Sequence, residues 1–543
     1  MDGPRTAAAA DGAPDATPPD DAFALGCPHF EQCPGCTMAE HLDEPPTLAR
    51  ARAFFEARGV PSFAARTGAT RGWRTRAKLA VRSVHSANGA HGKADPLALG
   101  LFARGTHDLV EIPECVVHHP RINQAARYVA DVANAAGVRA YDEKTGDGHL
   151  RYAQFTAVAS KERGAAHLDE DATVQVALVW NGRPPVEGAK MPAALRKFID
   201  ALVDGDQKMV DGDETFEKLV LGEDTKKGKL LRGVWVNFND SSTNEIVNAD
   251  QERWHHAHGS KYVWCTHGDA RVCYAPGSFL QANTEAYNTL LLSMRRDVPS
   301  GSAVSELHAG AGAIGLSLAA CEKLNGNEDE TSTFSLRCVE IVEAARETFE
   351  VSARETFGES SYDVKKRLGK VSFLVAAAAD VAAEAVIDAD VVVVDPPRKG
   401  LDARTLAALA GHDGAHDGDG DSYDPNEVPN KPPDLSTDPR RGKQGAAGSG
   451  RKKRNKRNRR AKKRLLASED VSFAHFALVQ KTPPPPDRLR TLIYVSCGFA
   501  SFERDCDALI ASKQWALRRA EGFNFFPGSD ALETLAVFER VER

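Results

Sequence analysis

The chain has 543 residues, 42% of them hydrophobic, with a net charge of −7 and ten cysteines. That much apolar material can bury a large core and predicts two or three domains, while no uninterrupted apolar run approaches the roughly 18 residues that span a bilayer, which excludes a helical membrane protein. The cysteines are unevenly spaced in a long chain, so they read as intracellular thiols or metal ligands and not as a disulfide framework.

Residues 1–23, "MDGPRTAAAADGAPDATPPDDAF", form an Ala/Pro/Asp tail with nothing to bury, which predicts disorder. Its acids outnumber its one Arg and it has no apolar h-region, unlike a signal or transit peptide. The expectation is an intracellular protein, with nuclear, cytoplasmic and organellar compartments left open. Residues 24–125 hold "CPHFEQCPGC", that is Cys27-x5-Cys33-x2-Cys36, followed much later by Cys115 in "EIPECVVHHPRIN". Three closely spaced thiolates and one distant ligand suit an iron–sulfur cluster or a zinc ion that pins two chain segments together. His118 and His119 read as exposed polar residues. In "RGWRTRAKLAVR", Arg71, Arg74, Arg76 and Lys78 are candidate RNA phosphate contacts, which would set register without reading sequence; a solvated strand face is the alternative. Strand-like runs ("LALGLFA", "TVQVALVW", "GVWVNF") with few helices continue to residue 268, so 126–268 is expected to be a β-rich, RNA-binding domain continuous with the preceding segment.

From 269 to 543 the pattern becomes strand, glycine turn, helix, repeated: "SAVSELHAGAGAIGLSLAACEKL", "SLRCVEIVEAARETFEVSARETF", "ADVVVVDPPRKGLDARTLAALA" and "TLIYVSCGFASFERDCDALI". Continuous apolar strands such as Val391 to Val394 belong to parallel sheets covered on both faces, so the fold class is α/β with a doubly wound, Rossmann-like C-terminal domain. Residues 411–467 lack periodicity and predict a disordered insertion; it joins an acidic, Gly-rich stretch to the basic run Arg451 to Arg464, either an extra RNA arm or a nuclear localisation signal. Gly310-x-Gly312-x-x-Gly315 follows a strand and opens a helix, and Glu340 ends the next strand. That arrangement predicts an adenosine-type cofactor, with the acid on ribose hydroxyls, and leaves NAD and S-adenosylmethionine both open. In "VVVVDPPRKGLD", Asp395 stands at a strand tip with the following backbone held extended by Pro396 and Pro397, an arrangement with an evident use in methyl transfer and none in hydride transfer.

The last repeat, "LIYVSCGFASFERDC", puts Cys497 at a strand's carboxyl tip, where α/β sheets bind ligands. In order along the chain, "GSFLQAN", "ELHAGAG", "VEIVEAA", "DPPRKGLD", "YVSC" and "FFPGSDALET" resemble the segments of the S-adenosylmethionine-dependent RNA uracil-5 methyltransferase family (tRNA and rRNA enzymes), a resemblance running with interruptions from Cys27 to the C-terminus. It implies a class I methyltransferase domain in which Gln281 contacts the cofactor, Glu533 is the catalytic base and Asp395 holds the cofactor or orients the nucleophile. Many family members carry a [4Fe–4S] cluster on a similar cysteine spacing, which favours iron–sulfur over zinc at Cys27, Cys33, Cys36 and Cys115, and an Arg-x-Arg-x-Lys strand that touches RNA. Uracil C5 is too weak a nucleophile to take a methyl group unless a thiolate first adds to C6; a base must then remove the C5 proton so that the thiolate leaves. Cys497 and Glu533 fit these two roles. The chain departs from the family at Gly498-Phe499 (usually Asn-Pro), Ala531 (usually His) and Ala377 (often acidic). Two rivals remain at this point: a catalytically decayed RNA-binding protein on the same fold, and an NAD-linked oxidoreductase. No obligate protein partner is evident.

Overall fold

A computed structural model of the chain describes residues 23–84, 95–159, 171–186, 188–213, 228–242, 245–324, 334–357, 371–411 and 488–542. Apart from boundary residues, the tail expected over 1–23 and the insertion expected over 411–467, with its basic run, lie outside the described residues. All described elements fall in one unit.

The N-terminal half contributes α1 (Pro46–Glu56), β1 (Ala65–Thr67), β2 (Arg76–Ser83), β3 (Leu97–Phe102), β4 (Leu109–Glu111), α2 (Pro120–Ala136), β5 (Leu150–Val158), β6 (Thr173–Trp180), α3 (Ala193–Asp211), β7 (Leu231–Phe238) and β8 (Trp254–Gly259). Seven of these strands form one sheet in the order β4-β3-β2-β5-β6-β7-β8, antiparallel except where α3 carries the chain across from β6 to a parallel β7. The central β6 is buried along its whole length, which is why "TVQVALVW" reads as an unbroken apolar run. Contrary to the expectation of few helices, α2 and α3 span 17 and 19 residues and cover this sheet. The period was present in "PRINQAARYVADVANAA": Ile122, Ala125, Ala126, Val129, Val132 and Ala133 share one buried stripe. Pro120 opens α2, the His119 ring accepts the Arg121 N–H (3.3 Å), and Gly137 closes it at φ +76. His118 and His119, expected at the surface, are therefore buried (6% and 7% exposed): one pairs with Asn123, the other caps the helix.

A hairpin of β9 (Val263–His267) and β10 (Ala270–Tyr274) straddles the domain boundary expected at 268. It is followed by α4 (Thr284–Arg295), β11 (Ala303–Leu307), α5 (Ala313–Leu324), β12 (Ser335–Glu340), α6 (Ala344–Phe357), β13 (Val371–Val375), α7 (Ala378–Ile387), β14 (Val391–Val394), α8 (Ala403–Ala410), β15 (Thr491–Ser496), α9 (Phe499–Ala511), β16 (Trp515–Asn524) and β17 (Glu533–Arg540). The second sheet runs β1-β16-β17-β15-β14-β11-β12-β13, parallel except for β17, which lies antiparallel to both β15 and β16. Alternate residues feed two separate cores. Val391, Val393, Ile493 and Val495 face one, and Val392, Val394, Leu492 and Tyr494 face the other, as a doubly wound sheet requires. β14 and β12 flank β11 on opposite sides, so the crevice above β11 and β14 is the topological switch point where such sheets bind ligands. Among the described residues no helix is long and apolar enough to cross a membrane.

Candidate active site

Strand register brings three sequence-predicted residues to one rim. Val394 pairs with Tyr494 and Ser496 pairs with Thr534, so Asp395, Cys497 and Glu533 each stand one step beyond those pairs, at neighbouring strand ends. The Asp-Pro-Pro loop lies directly on the Ser-Cys-Gly turn: a Cβ at Gly498 would come within 2.6 Å of the Arg398 carbonyl, which also accepts from Ser501 Oγ (2.8 Å). A side chain at this position would force that contact apart. Asp505, buried in α9 and not singled out from sequence, braces the same turn by accepting from the Leu401 N–H (2.7 Å) and the Tyr494 hydroxyl (2.8 Å).

The electrostatics of this rim are unfavourable to charge. Glu533 is 3% exposed, and its Oε1 has no hydrogen-bond partner among the described residues. Burial first, and the Asp395 carboxylate second, hold its carboxyl well above the usual range, while the Arg398 guanidinium opposes them. Burial raises Asp395 to about 7. The Cys497 thiol is pushed up to about 11 by burial and then by Glu533 and Asp395, again with Arg398 opposing. Arg398 is thus a further residue of the site, its cation set against both the thiol and the base. The motif "DPPRKGLD" contained it, but nothing in the sequence fixed its direction.

On the other side of the switch point, Glu340 Oε2 accepts the Gly310 N–H (2.8 Å) and Oε1 the Val342 N–H (3.0 Å). The three glycines of the loop do different work. At Gly312 (φ +73) a Cβ would strike the Phe349 ring at 2.4 Å, and at Gly315 it would meet Glu306 Oε2 at 2.6 Å; only at Gly310 (φ +55) would it point into open space. Gly310 therefore borders room for a ligand, and the others serve packing. Glu306, 1% exposed, went unnoticed in sequence: its Oε2 accepts from the Gly315 N–H (2.9 Å) and Cys338 Sγ (3.2 Å), and burial raises it to about 8. An acid inside an apolar strand just before a glycine loop was the available signal. Ile341 and Val342 are exposed beside Glu340.

Gln281 is half-buried in the segment leading into α4. β2 holds that segment: the Thr75 N–H and hydroxyl donate to the Ala282 carbonyl (2.7 and 2.9 Å), and the Arg76 guanidinium donates to the carbonyls of Pro276 and Ser278. Arg76, expected on RNA phosphates, is spent on these carbonyls. Arg74 is half-buried over the Trp73 ring, 4.8 Å from its centroid, whereas Arg71 and Lys78 are exposed. Phe279, which sequence reasoning did not use, exposes 73% of its surface on the same segment.

Cys27, Cys33, Cys36 and Cys115 all line one cavity of about 140 Å³, shared with Arg74, Lys78 and Gly35, whose N–H donates to Cys33 Sγ (3.4 Å). Among the described residues no group of three or more His, Cys, Asp or Glu could hold a metal ion. Burial raises Cys36 to about 11, with the other three thiols adding to the rise.

No protein-family model matches the chain. It is 28% identical over 517 residues to an uncharacterized RNA methyltransferase of Protochlamydia amoebophila, covering 95% of this chain and 98% of that protein. An uncharacterized RNA methyltransferase of Halalkalibacterium halodurans is 24% identical over 395 residues, 70% of this chain and 71% of its own length; of a Geobacter sulfurreducens relative with the same description, the chain spans about half (51%). Among solved structures, the Pyrococcus abyssi tRNA (uracil-54, C5)-methyltransferase in complex with S-adenosyl-L-homocysteine matches with a TM-score of 0.52 at 17% identity, covering 93% of this chain and 86% of that one. The likeness is one of fold: a mixed α/β, Rossmann-like methyltransferase fold with an added β-rich sheet.

Proposed function

We propose that this protein is an S-adenosylmethionine-dependent RNA methyltransferase that forms 5-methyluridine in tRNA or rRNA, with Cys497 as nucleophile and Glu533 as base. One observation carries the reading: a thiol and a buried carboxyl whose Oε1 has no hydrogen-bond partner among the described residues meet at adjacent strand ends, beside a glycine loop whose Gly310 borders open space. Uracil methylation needs that pair, and hydride transfer has no use for it. The names of the relatives support RNA as substrate. The exposed Phe279 ring and the exposed Arg71 and Lys78 suit a splayed base and a phosphate backbone.

The proton inventory follows from the rim's electrostatics. With its pKa near 11, Cys497 enters as a thiol, so its proton must go to a neighbouring carboxylate, and Asp395, at about 7, is the one available near neutral pH. The sulfur then bonds to uracil C6 and the C5–C6 electron pair moves toward the C4 carbonyl. S-adenosylmethionine supplies a methyl group on a sulfonium, a cation that also favours ionised carboxylates beside it. Glu533 must give up its own proton to solvent as the sulfonium cation binds; once C5 carries the methyl group, it takes the C5 proton, the C5=C6 bond re-forms, and Cys497 leaves as thiolate. The raised pKa of Glu533 makes it a stronger base for this step than an exposed carboxylate would be. Arg398 faces both the departing thiolate and the base.

The four thiols are assigned to a [4Fe–4S] cluster held by Cys27, Cys33, Cys36 and Cys115. Four cysteines lining one cavity support a group that brings its own bulk. The chemistry above uses no electron, so the role is structural.

The test is to incubate the protein with S-adenosylmethionine and RNA carrying 5-fluorouridine. Fluorine at C5 cannot leave as a proton, so a denaturation-resistant protein–RNA adduct is expected, absent in Cys497→Ala, whose turnover falls by on the order of 10⁴-fold or more. Binding of S-adenosylhomocysteine with no adduct on any cellular RNA would move the protein to the decayed, RNA-binding reading.

A further inference from the structure

Glu533 does not depend on β17 alone for its position. The loop from Phe525 to Leu532, which delivers it, is held by the segment that carries the first three cysteines. The N–H groups of Thr37 and Met38, directly after Cys36, both donate to the Gly528 carbonyl (2.7 and 3.0 Å). Gly528 sits at φ +96, and a Cβ there would lie 3.4 Å from Cys36 Sγ. At the two ends of the loop, Asn524 Nδ2 donates to the Leu42 carbonyl (2.5 Å) and Asp530 Oδ1 accepts from the Thr47 N–H (2.7 Å).

A side-chain stack ties the same loop to the cavity itself. Phe526 meets Trp73 edge-on with centroids 5.8 Å apart, and the Arg74 guanidinium stands 4.8 Å from the Trp73 ring and 5.9 Å from Phe526. Arg74 lines the four-thiol cavity beside Cys36 and Cys115. Trp73 packs in a small core with Leu25, Leu42 and Val117, bordered by Cys27, Cys36, Cys115 and Phe526. The ties of Gly528 and Phe526 on this side thus run beside a cysteine, those of Asn524 and Asp530 run to Leu42 and Thr47, and the opposite side is held by Asn283 Nδ2, which donates to the Phe525 carbonyl (3.1 Å).

We propose that the four-thiol site is the positional support of the base: the group bound there fixes Cys36–Met38 and Arg74, these fix Gly528 and Phe526, and the loop in turn holds Glu533 against Cys497. Arg74 is accordingly a positioning residue, a cation between the four-cysteine cavity and two aromatic rings. The inference rests on the reading of Glu533 as the base, but its test does not.

Hydrogen exchange of the full chain is followed with the site loaded, as purified or after reconstitution with ferrous iron and sulfide, and after stripping by a chelator. Stripping is expected to raise exchange across 525–532 by about tenfold or more, leaving the glycine loop (308–315) and the affinity for S-adenosylhomocysteine within about twofold. Because Cys36→Ser may fail to fold, Arg74→Met provides the second arm. It should raise exchange across 525–532 severalfold at unchanged iron content, and Arg74→Lys, which keeps the cation, should recover most of the protection. On ordinary uridine RNA, Arg74→Met should accumulate the Cys497 adduct, since elimination waits on a misplaced base. Exchange across 525–532 unmoved by stripping, or a rise shared equally by 308–315, would overturn the proposal. An inactive protein that still loses loop protection on stripping would leave it standing and sink the uracil reading instead.

Discussion

On the β11–β12 side of the rim, acids are satisfied by backbone. Glu340 accepts N–H groups from Gly310 and Val342, and Glu306 accepts from Gly315 and the Cys338 thiol. On the β14–β15–β17 side the opposite holds: Glu533 is buried with an oxygen lacking a partner among the described residues, Asp395 is raised to about 7, and Cys497 to about 11. A group whose hydrogen bonds are complete in the free protein is already in its binding geometry. One held short of partners in a desolvated place is kept reactive, because the missing interactions form only with substrate or in the transition state. Under the proposed function, binding falls to one half of the rim and chemistry to the other.

The largest expected break of that contrast is Glu533→Gln. An amide cannot take the C5 proton, so methyl transfer should proceed and the enzyme should stall as a covalent adduct on ordinary RNA, with turnover lowered by on the order of 10²–10⁴-fold. S-adenosylhomocysteine affinity should stay within about twofold, since no cofactor-side hydrogen bond is touched. Denaturing gels and calorimetry read both. An unchanged turnover would take the base away from Glu533.

The reactive half was also the more legible in sequence, and for a physical reason. Parallel strands buried on both faces leave unbroken apolar runs such as "VVVV" and "LIYV", and whatever follows such a run is at the carboxyl rim by construction, which is how Asp395 and Cys497 could be positioned without coordinates. What could not be seen depended on contacts far apart in the chain. β1, three residues long, joins the methyltransferase sheet by pairing Ala65 with Gly522 and Thr67 with Asn524. Arg76 looked like a free cation until the carbonyls of Pro276 and Ser278 were found against it. His118 and His119 looked polar and exposed because a helix cap and an imidazole–amide pair leave no periodic trace. α2 and α3 are a different case: their stripes were readable, and the neighbouring strand-like runs obscured them.

A smaller effect is expected on the binding half. Glu340→Ala removes the acceptor expected for ligand hydroxyls and frees the Gly310 N–H, so S-adenosylhomocysteine affinity should fall by on the order of 10- to 100-fold. Alkylation of Cys497 by iodoacetamide in the absence of ligand should be unchanged, because its pKa is set by burial, Glu533 and Asp395. If Glu340→Ala altered Cys497 alkylation as much as ligand affinity, the two halves would not be separable.

The smallest expected effect sharpens the comparison within the binding half, where Glu306 is satisfied by hydrogen bonds yet still raised from 4.5 to about 8 by burial. The direction of its pH dependence follows from linkage. The folded state holds this proton more tightly than the unfolded chain, so the contribution to stability is fully present below the unfolded value of 4.5, falls as pH rises, and is gone above about 8. Glu306→Gln copies the protonated acid: its amide oxygen can accept the Gly315 N–H and the Cys338 thiol, and it never ionises. Thermal unfolding should therefore match the parent at about pH 5 and exceed it by a few degrees at about pH 8.5, the gap opening between those limits. A gap that does not vary with pH would mean that Glu306 stays charged throughout, held by its two donors, and that hydrogen bonding outweighs burial there.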